Sequence, residues 1–168
     1  RSILEFHLYL DKNLLDGKVE ISNTYLGHHY SVTGKVIKGN QLGRTIGYPT
    51  ANVQLGEPYK LIPTDGVYAA WAVFNNTKYQ AMVNIGYRPT VDGQMHNIEA
   101  HIFNFSNDIY DQNIEIQFVK MRVKLQNLRP SILLCLPKIC LPKASLVLPV
   151  VYLYMQWLFD ETVLTQER

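Results

Sequence analysis

Between residues 31 and 36 the chain alternates apolar and polar positions, which is the pattern of a β-strand with one buried face. The inward positions of the first run are Val32, Gly34 and Val36. Two further runs, 66–74 and 78–85, are rich in Val, Tyr, Ala and Trp. Asn75 and Asn76 lie between them, and because Asn tolerates positive φ, this pair predicts a hairpin turn.

Two more extended runs cover residues 97–105 and 113–123, and the polar residues 106–108 predict a turn between them. Upstream, residues 14–26 are expected to form a short helix that ends at Gly27, since glycine is common at helix ends. About five strands with short turns and little helix predict a mainly β protein, built as a small antiparallel barrel.

The stretch from Lys38 to Asn52 concentrates residues suited to binding phosphate and a metal ion. Glycines let backbone N–H groups approach phosphate oxygens, arginine offers a fork of donors, and Thr and Asn carry neutral oxygens that Mg²⁺ accepts. These residues are Gly39, Gly43, Arg44, Gly47, Pro49, Thr50 and Asn52. The alternative is a surface turn ending in Pro-Thr. The stretch is neither a Walker A loop nor a dinucleotide-binding fingerprint, so nucleotide binding here would require another fold.

The string from Gly39 to Asn52 resembles the signature of riboflavin kinases, Gly-x-x-x-Gly-Arg-x-x-Gly-[Phe/Tyr]-Pro-Thr-Ala-Asn. Further segments that match this family follow in its order, at residues 65–69, 83–90, 98–105 and 108–110. The resemblance implies a six-stranded antiparallel Greek-key barrel with a few flanking helices. It also implies ATP-dependent phosphorylation of riboflavin at the 5′-hydroxyl, which gives FMN and ADP.

The resemblance assigns roles to individual residues. The glycine-rich stretch would bind the ATP phosphates, and Thr50 and Asn52 would contact Mg²⁺ or another divalent metal ion. A second segment would close over the flavin and the transferred phosphate, with contributions from Asn84, Gly86, Arg88, Thr90 and Arg122. For Arg88, the alternative is a surface arginine held by a proline-containing turn. Tyr87 and Tyr110 would offer flat faces to the flavin, although barrel packing explains a tyrosine equally well.

Glu99 is the candidate for catalysis. Strand alternation places Asn97, Glu99, His101, Phe103 and Phe105 on one face, and Ile98, Ala100 and Ile102 on the other. Taken alone, a strand glutamate is most often a solvated outward side chain. The resemblance instead implies that Glu99 accepts the proton of the riboflavin 5′-hydroxyl, a role that typically contributes about 10²–10⁴-fold. His101 beside aromatic residues is expected to be a packed core or rim residue.

Residues 14–27 resemble the end of the adenylyltransferase module that precedes the kinase in bacterial bifunctional riboflavin kinase/FAD synthetases. Residues 1–29 are therefore interpreted as a remnant or linker of that module, and 30–123 as the kinase barrel. The chain looks like the C-terminal part of such a protein. FAD synthesis is not expected from it, because no His-x-Gly-His string occurs in the sequence.

The resemblance ends near Arg122, and residues 124–168 are an atypical C-terminal segment where the family would have a helix. Residues 130–159 are almost wholly apolar and contain four prolines. Those prolines would break a long helix, so a membrane-spanning helix is not expected. Either the segment wraps the barrel in short pieces, or the recorded sequence is shifted here, and the break in composition favours the second interpretation.

Composition adds limits rather than a function. The 168 residues suffice for one domain with flanking segments, and a net charge of +2 gives no broad basic field that would favour a nucleic-acid partner. The two cysteines, Cys135 and Cys140, indicate neither a disulfide framework nor a zinc site. Without a secretory signal at the start, a cytoplasmic location is expected.

Two other function classes remain open at this point. The first is a non-catalytic flavin- or nucleotide-binding barrel that acts as a regulatory module, suggested by the atypical C-terminal segment. The second is a barrel that binds single-stranded nucleic acid, which is disfavoured because no Lys or Arg cluster is interleaved with the aromatic residues. ATP, riboflavin and a covalently linked adenylyltransferase domain are the expected partners, with no membrane partner.

Overall fold

The computed structural model describes residues 2–39, 49–90 and 93–124, without the side chains of 87–90, 93–95, 123 and 124. Two helices precede six strands in this part of the chain. The elements are α1 (Ile3–Leu15), α2 (Val19–Leu26), β1 (Ser31–Ile37), β2 (Ala51–Leu55), β3 (Gly66–Phe74), β4 (Thr77–Thr90), β5 (Gly93–Ile102) and β6 (Asn113–Lys124).

The six strands form a closed barrel in the order β1-β2-β5-β4-β3-β6, and every neighbouring pair is antiparallel. The predicted mainly β, six-stranded antiparallel barrel is therefore confirmed. Its interior is filled by the apolar face of each strand, and the rings of Tyr68 and Phe118 meet edge to face at 5.3 Å in this core. The hydroxyl of Tyr68 donates a hydrogen bond to the carbonyl of Thr64, which satisfies the polar end of this buried ring.

The predicted single helix over 14–26 is wrong at its start, although its end at Gly27 is confirmed. Gly17 has φ of 81° and separates α1 from α2, because a left-handed residue cannot continue a right-handed helix. A Cβ at Gly17 would also collide with the sulfur of Met121, so this turn packs directly on β6. The start of α1 has a capping box formed by Ser2 and Glu5, a sequence signal that the prediction did not use.

The two helices are joined to the barrel core rather than attached loosely beside it. Leu14 and Val19 are buried in the same apolar cluster as the strand residues. Asn23 bridges α2 and the barrel, because its Nδ2 donates to the carbonyl of Phe118 at 2.9 Å and its Oδ1 accepts from the N–H of Tyr30 at 2.7 Å. One side chain therefore ties α2 both to β6 and to the residue that precedes β1.

Three strand boundaries differ from the predictions. β2 was not predicted separately; its first two residues, Ala51 and Asn52, lie inside the glycine-rich motif. β4 continues to Thr90, so the proline-containing turn expected around Arg88 is wrong, and residues 84–90 are part of a β4–β5 hairpin. β5 ends at Ile102, and Asn104, with φ of 53°, turns the chain away. Phe103 and Phe105 therefore do not continue the strand face of Glu99.

Candidate functional site

Three polar residues from three neighbouring strands stand in one row across the barrel wall. Glu99 on β5 is directly opposite Asn52 on β2 and, on its other side, directly opposite Asn84 on β4. Opposed residues in antiparallel strands share a face, and the flanking Ile98 and Ala100 are buried in the core. The row therefore lies on the outer face of the barrel, where Asn52 is only 7% exposed.

The carboxylate of Glu99 is held from within its own strand. Asn97 is two residues away on the same face, and its Nδ2 donates to Oε1 of Glu99 at 2.7 Å. Gly86 on β4 is directly opposite Asn97 and has no side chain to fill the space beside this pair. The bond engages Oε1 of Glu99 and orients the carboxylate. Asn97 was not among the predicted site residues, although strand alternation had already placed it on this face.

The two described ends of the glycine-rich stretch converge on the row. The backbone of Gly39 packs so closely against the side-chain amide of Asn52 that a Cβ would overlap it, which explains the need for glycine. Lys38 extends its ammonium over the ring of Tyr110, 5.8 Å from the centroid. Gly43, Arg44 and Gly47 lie outside the described residues, so their predicted phosphate contacts stay predictions.

A cavity of about 370 Å³ opens beside the other end of this stretch. Pro49, Thr50 and Ala51 form one wall, and residues 105–110, which include Tyr110, form another. Its apolar floor comes from the strand residues Val36, Ala100 and Ile102. Ala51 and Ala100 alternate with Asn52 and Glu99 along their strands, so the cavity opens on the inner side of the barrel wall and the row lies on the outer side.

His101 connects β5 to the glycine-rich stretch. It is 6% exposed, which agrees with the expected packed residue, and its ring meets that of Phe103 edge to face at 5.4 Å. Its Nδ1 also lies 2.8 Å from the carbonyl oxygen of Pro49, and because a carbonyl can only accept, Nδ1 carries the proton and donates. Burial lowers the pKa of His101, while the bond to Pro49 opposes that shift.

The remaining predicted flavin residues lie on two strands. Asn84, Gly86, Arg88 and Thr90 follow one another along β4, where Arg88 is opposite Met95 and Thr90 is opposite Gly93. The side chains of Arg88, Thr90 and Tyr87 lie outside the described residues. Arg122 is on β6, three strands from β5 in either direction around the barrel, so the sheet does not place it beside Glu99.

The donor atoms present are of the kind that Mg²⁺ accepts. Thr50 offers a hydroxyl and Asn52 an amide oxygen, both neutral. Within the described residues, no group of three or more His, Cys, Asp or Glu side chains could hold a metal ion. The hydroxyl of Thr50 and the amide oxygen of Asn52 fit Mg²⁺, which typically keeps several waters and is bound through few protein ligands together with substrate phosphates.

Comparison with known proteins gives a consistent family assignment. The family model described as "Flavokinase: Riboflavin kinase" matches residues 26–128. The bifunctional riboflavin kinase/FMN adenylyltransferase of Bacillus subtilis is 41% identical over 115 residues, which are 67% of this chain and 36% of that protein. The Escherichia coli K12 protein of the same name is 37% identical over 115 residues, 68% of this chain and 35% of that protein. The chain thus spans about a third of the length of these curated relatives.

A solved structure is also similar to this chain. A crystal structure described as a macrolide-efflux protein from Streptococcus pneumoniae aligns with a TM-score of 0.68 and 30% sequence identity. The alignment covers 95% of this chain and 46% of that one. Among the described residues of this chain, neither helix has the length and apolar character needed to cross a membrane.

Proposed function

This chain belongs to the riboflavin kinase family, and we propose that it transfers the γ-phosphoryl group of ATP to the 5′-hydroxyl of riboflavin, giving FMN and ADP. One observation carries this proposal beyond the family assignment. Glu99 lies on the outer barrel face between Asn84 and Asn52, and Asn52 is the last residue of the glycine-rich stretch. A proton acceptor therefore lies directly beside the stretch that we propose binds the phosphates.

Glu99 acts as the general base in this proposal. Its carboxylate accepts the proton of the 5′-hydroxyl while that oxygen attacks the γ-phosphorus, and the bond from the γ-phosphorus to the oxygen of the ADP leaving group breaks. The hydrogen bond from Asn97 to Oε1 supports this role, because it restricts the carboxylate to one orientation. Positioning matters here, since phosphoryl transfer depends mainly on alignment and charge stabilisation.

The nucleotide occupies the cavity beside Thr50, with its phosphates directed toward Asn52. This placement is supported by the apolar floor, which suits a nucleobase, and by Thr50 of the glycine-rich stretch, which lines the cavity. Gly39 allows the backbone to approach closely, and Gly43, Arg44, Gly47 and Pro49 complete the phosphate loop by resemblance. Thr50 and Asn52 would hold Mg²⁺ or another divalent ion, which when bound neutralises phosphate charge.

Riboflavin approaches from the β4–β5 hairpin. Asn84 and Gly86 face the same side as Glu99, and the hairpin continues past them to Arg88 and Thr90. Near the hairpin end, Nε2 of His96 lies 3.1 Å from Oδ1 of Asp65. We propose that the hairpin end and the glycine-rich stretch close over both substrates, which would exclude water from the γ-phosphate. We also propose that Arg122 contacts the flavin, and this proposal rests on the family resemblance alone.

The test is direct. The chain is incubated with riboflavin, ATP and Mg²⁺, and FMN is measured by chromatography, with the reaction lacking Mg²⁺ as control. FMN that depends on ATP and the metal ion supports the kinase. Flavin or nucleotide binding without FMN would instead support the non-catalytic regulatory barrel.

The curated relatives are named as bifunctional proteins with kinase and adenylyltransferase activities. We propose that a covalently linked adenylyltransferase domain accompanies this kinase in the full-length protein. FAD formation is not expected from the present chain, and the same chromatographic assay should show FMN without FAD. We place the reaction in the cytoplasm, where ATP is available as the donor. Small-molecule substrates, rather than nucleic acid or a membrane, are the proposed partners.

A further inference from the structure

The β2–β5 ladder is short and ends where the glycine-rich stretch begins to leave the barrel. Its last pair is Ala51 opposite Ala100, and the next residues along would be Thr50 and His101. Just beyond this pair, the hydrogen bond between Nδ1 of His101 and the carbonyl oxygen of Pro49 connects the two segments in place of backbone hydrogen bonds. Pro49 has no N–H to donate, so its carbonyl is its only backbone hydrogen-bonding group.

We infer that His101 is a positioning residue for nucleotide binding, which holds Pro49 and thereby fixes Thr50 beyond the end of the ladder that pairs Asn52 with Glu99. This inference rests on the proposed kinase function and deepens it. His101 is on the same strand and face as Glu99, two residues away. The proposed base and the residue that holds the glycine-rich stretch therefore both belong to β5. Side chains on strands hold geometry better than side chains on loops.

The burial of His101 explains why this bond can be effective. At 6% exposure, the imidazole is shielded from water, and its edge-to-face contact with Phe103 limits ring rotation. Burial also lowers the pKa of His101, so the neutral ring with its proton on Nδ1 is the favoured form. The bond spans 52 positions in the sequence, which makes it a tertiary constraint on the stretch rather than a local turn contact.

Three substitutions separate this role from simple packing. His101→Phe keeps a flat ring but removes the donor. His101→Asn places an amide N–H near the position of Nδ1, and His101→Gln places it one bond farther along the side chain. Met82 stands directly opposite His101 on β4 and is 3% exposed, so Met82→Ala is a packing control that keeps the Nδ1 donor of His101.

The expected result for His101→Phe is a rise of about tenfold in KM for MgATP, or an equal loss of MgADP affinity by calorimetry, with KM for riboflavin within about twofold. Tenfold corresponds to about 1.4 kcal/mol, which is near the upper end for one neutral hydrogen bond. His101→Asn should recover most of the loss and His101→Gln should not. Met82→Ala should lower the unfolding temperature without a selective effect on MgATP.

Each outcome decides the inference. If His101→Phe binds MgADP as tightly as wild type, or if the two substrates are affected equally in both the Phe and Asn variants, His101 does not position the stretch. If the wild-type chain itself forms no FMN, the kinase proposal fails. The inference on Pro49 is then still tested by MgADP affinity, so the two failures are distinguishable.

Discussion

Replacing Glu99 by Gln is the sharpest test of the proposed catalytic base, because the change preserves the shape of the side chain. Asn97 Nδ2 donates to Oε1 of Glu99 at 2.7 Å, and a glutamine oxygen can accept the same bond. The other oxygen then becomes an NH₂ group, which donates hydrogen bonds and cannot accept a proton. The substitution thus removes the proton acceptor and keeps the orientation.

The expected effect on the rate is far larger than the effect on stability. A general base contributes about 10²–10⁴-fold, which is about 3–5.5 kcal/mol in the activation free energy. The bond from Asn97 changes from a charged to a neutral acceptor, which costs about 1 kcal/mol of folding stability. We therefore expect kcat to fall at least ~10²-fold, with the unfolding temperature lowered by only a few degrees and MgADP affinity within about twofold.

The assay is steady-state FMN formation, with MgADP affinity measured on the same samples by calorimetry. Glu115→Gln is the matched control, because Glu115 is also a partly buried strand glutamate but lies on β6, three strands away from β5. Its kcat should remain within about twofold of wild type. If Glu99→Gln retained more than a tenth of the wild-type kcat, Glu99 would not be the base.

Three further changes test the metal ligand, the helix anchor and the pH dependence. Thr50→Ala should raise KM for MgATP more than KM for riboflavin, because Mg²⁺ tolerates loss of an oxygen ligand poorly; equal effects in steady-state assays would point to a disordered stretch instead. Asn23→Ala removes the hydrogen bonds to Phe118 and Tyr30 and should lower the free energy of unfolding in urea by about 1–3 kcal/mol. A decrease smaller than about 0.5 kcal/mol, the lower bound for a single hydrogen bond, would contradict the anchor role. The pKa of His101 is lowered by burial, so the unfolded chain binds more protons, and the wild type should lose stability as the pH falls below about 6.5. His101→Asn should flatten that dependence in urea unfolding, and an unchanged slope would count against a buried neutral ring.

The local pattern of the sequence determined most of the secondary structure. Alternation of apolar and polar residues predicted β1, because side-chain direction in a strand follows from the backbone alone. Runs rich in β-favouring residues predicted the β3–β4 hairpin and, as an extended run, β6. Asn75 and Asn76 both have positive φ, as their residue type suggested. The glycine-rich motif and Glu99 were identified from the sequence through their resemblance to riboflavin kinases. The break at Gly17 was missed, although a glycine within a predicted helix is a warning signal.

Tertiary structure alone decided which of these residues meet. The row of Asn52, Glu99 and Asn84 depends on the register of two strand pairs, and register is set by burial of apolar side chains from segments distant in the sequence. The bond between His101 and Pro49 joins residues 52 positions apart, so no local pattern contains it. Periodicity predicts the direction in which a side chain points, because direction is a property of the local backbone. Its partner is determined only when the barrel closes and each strand finds the neighbour that buries its apolar face.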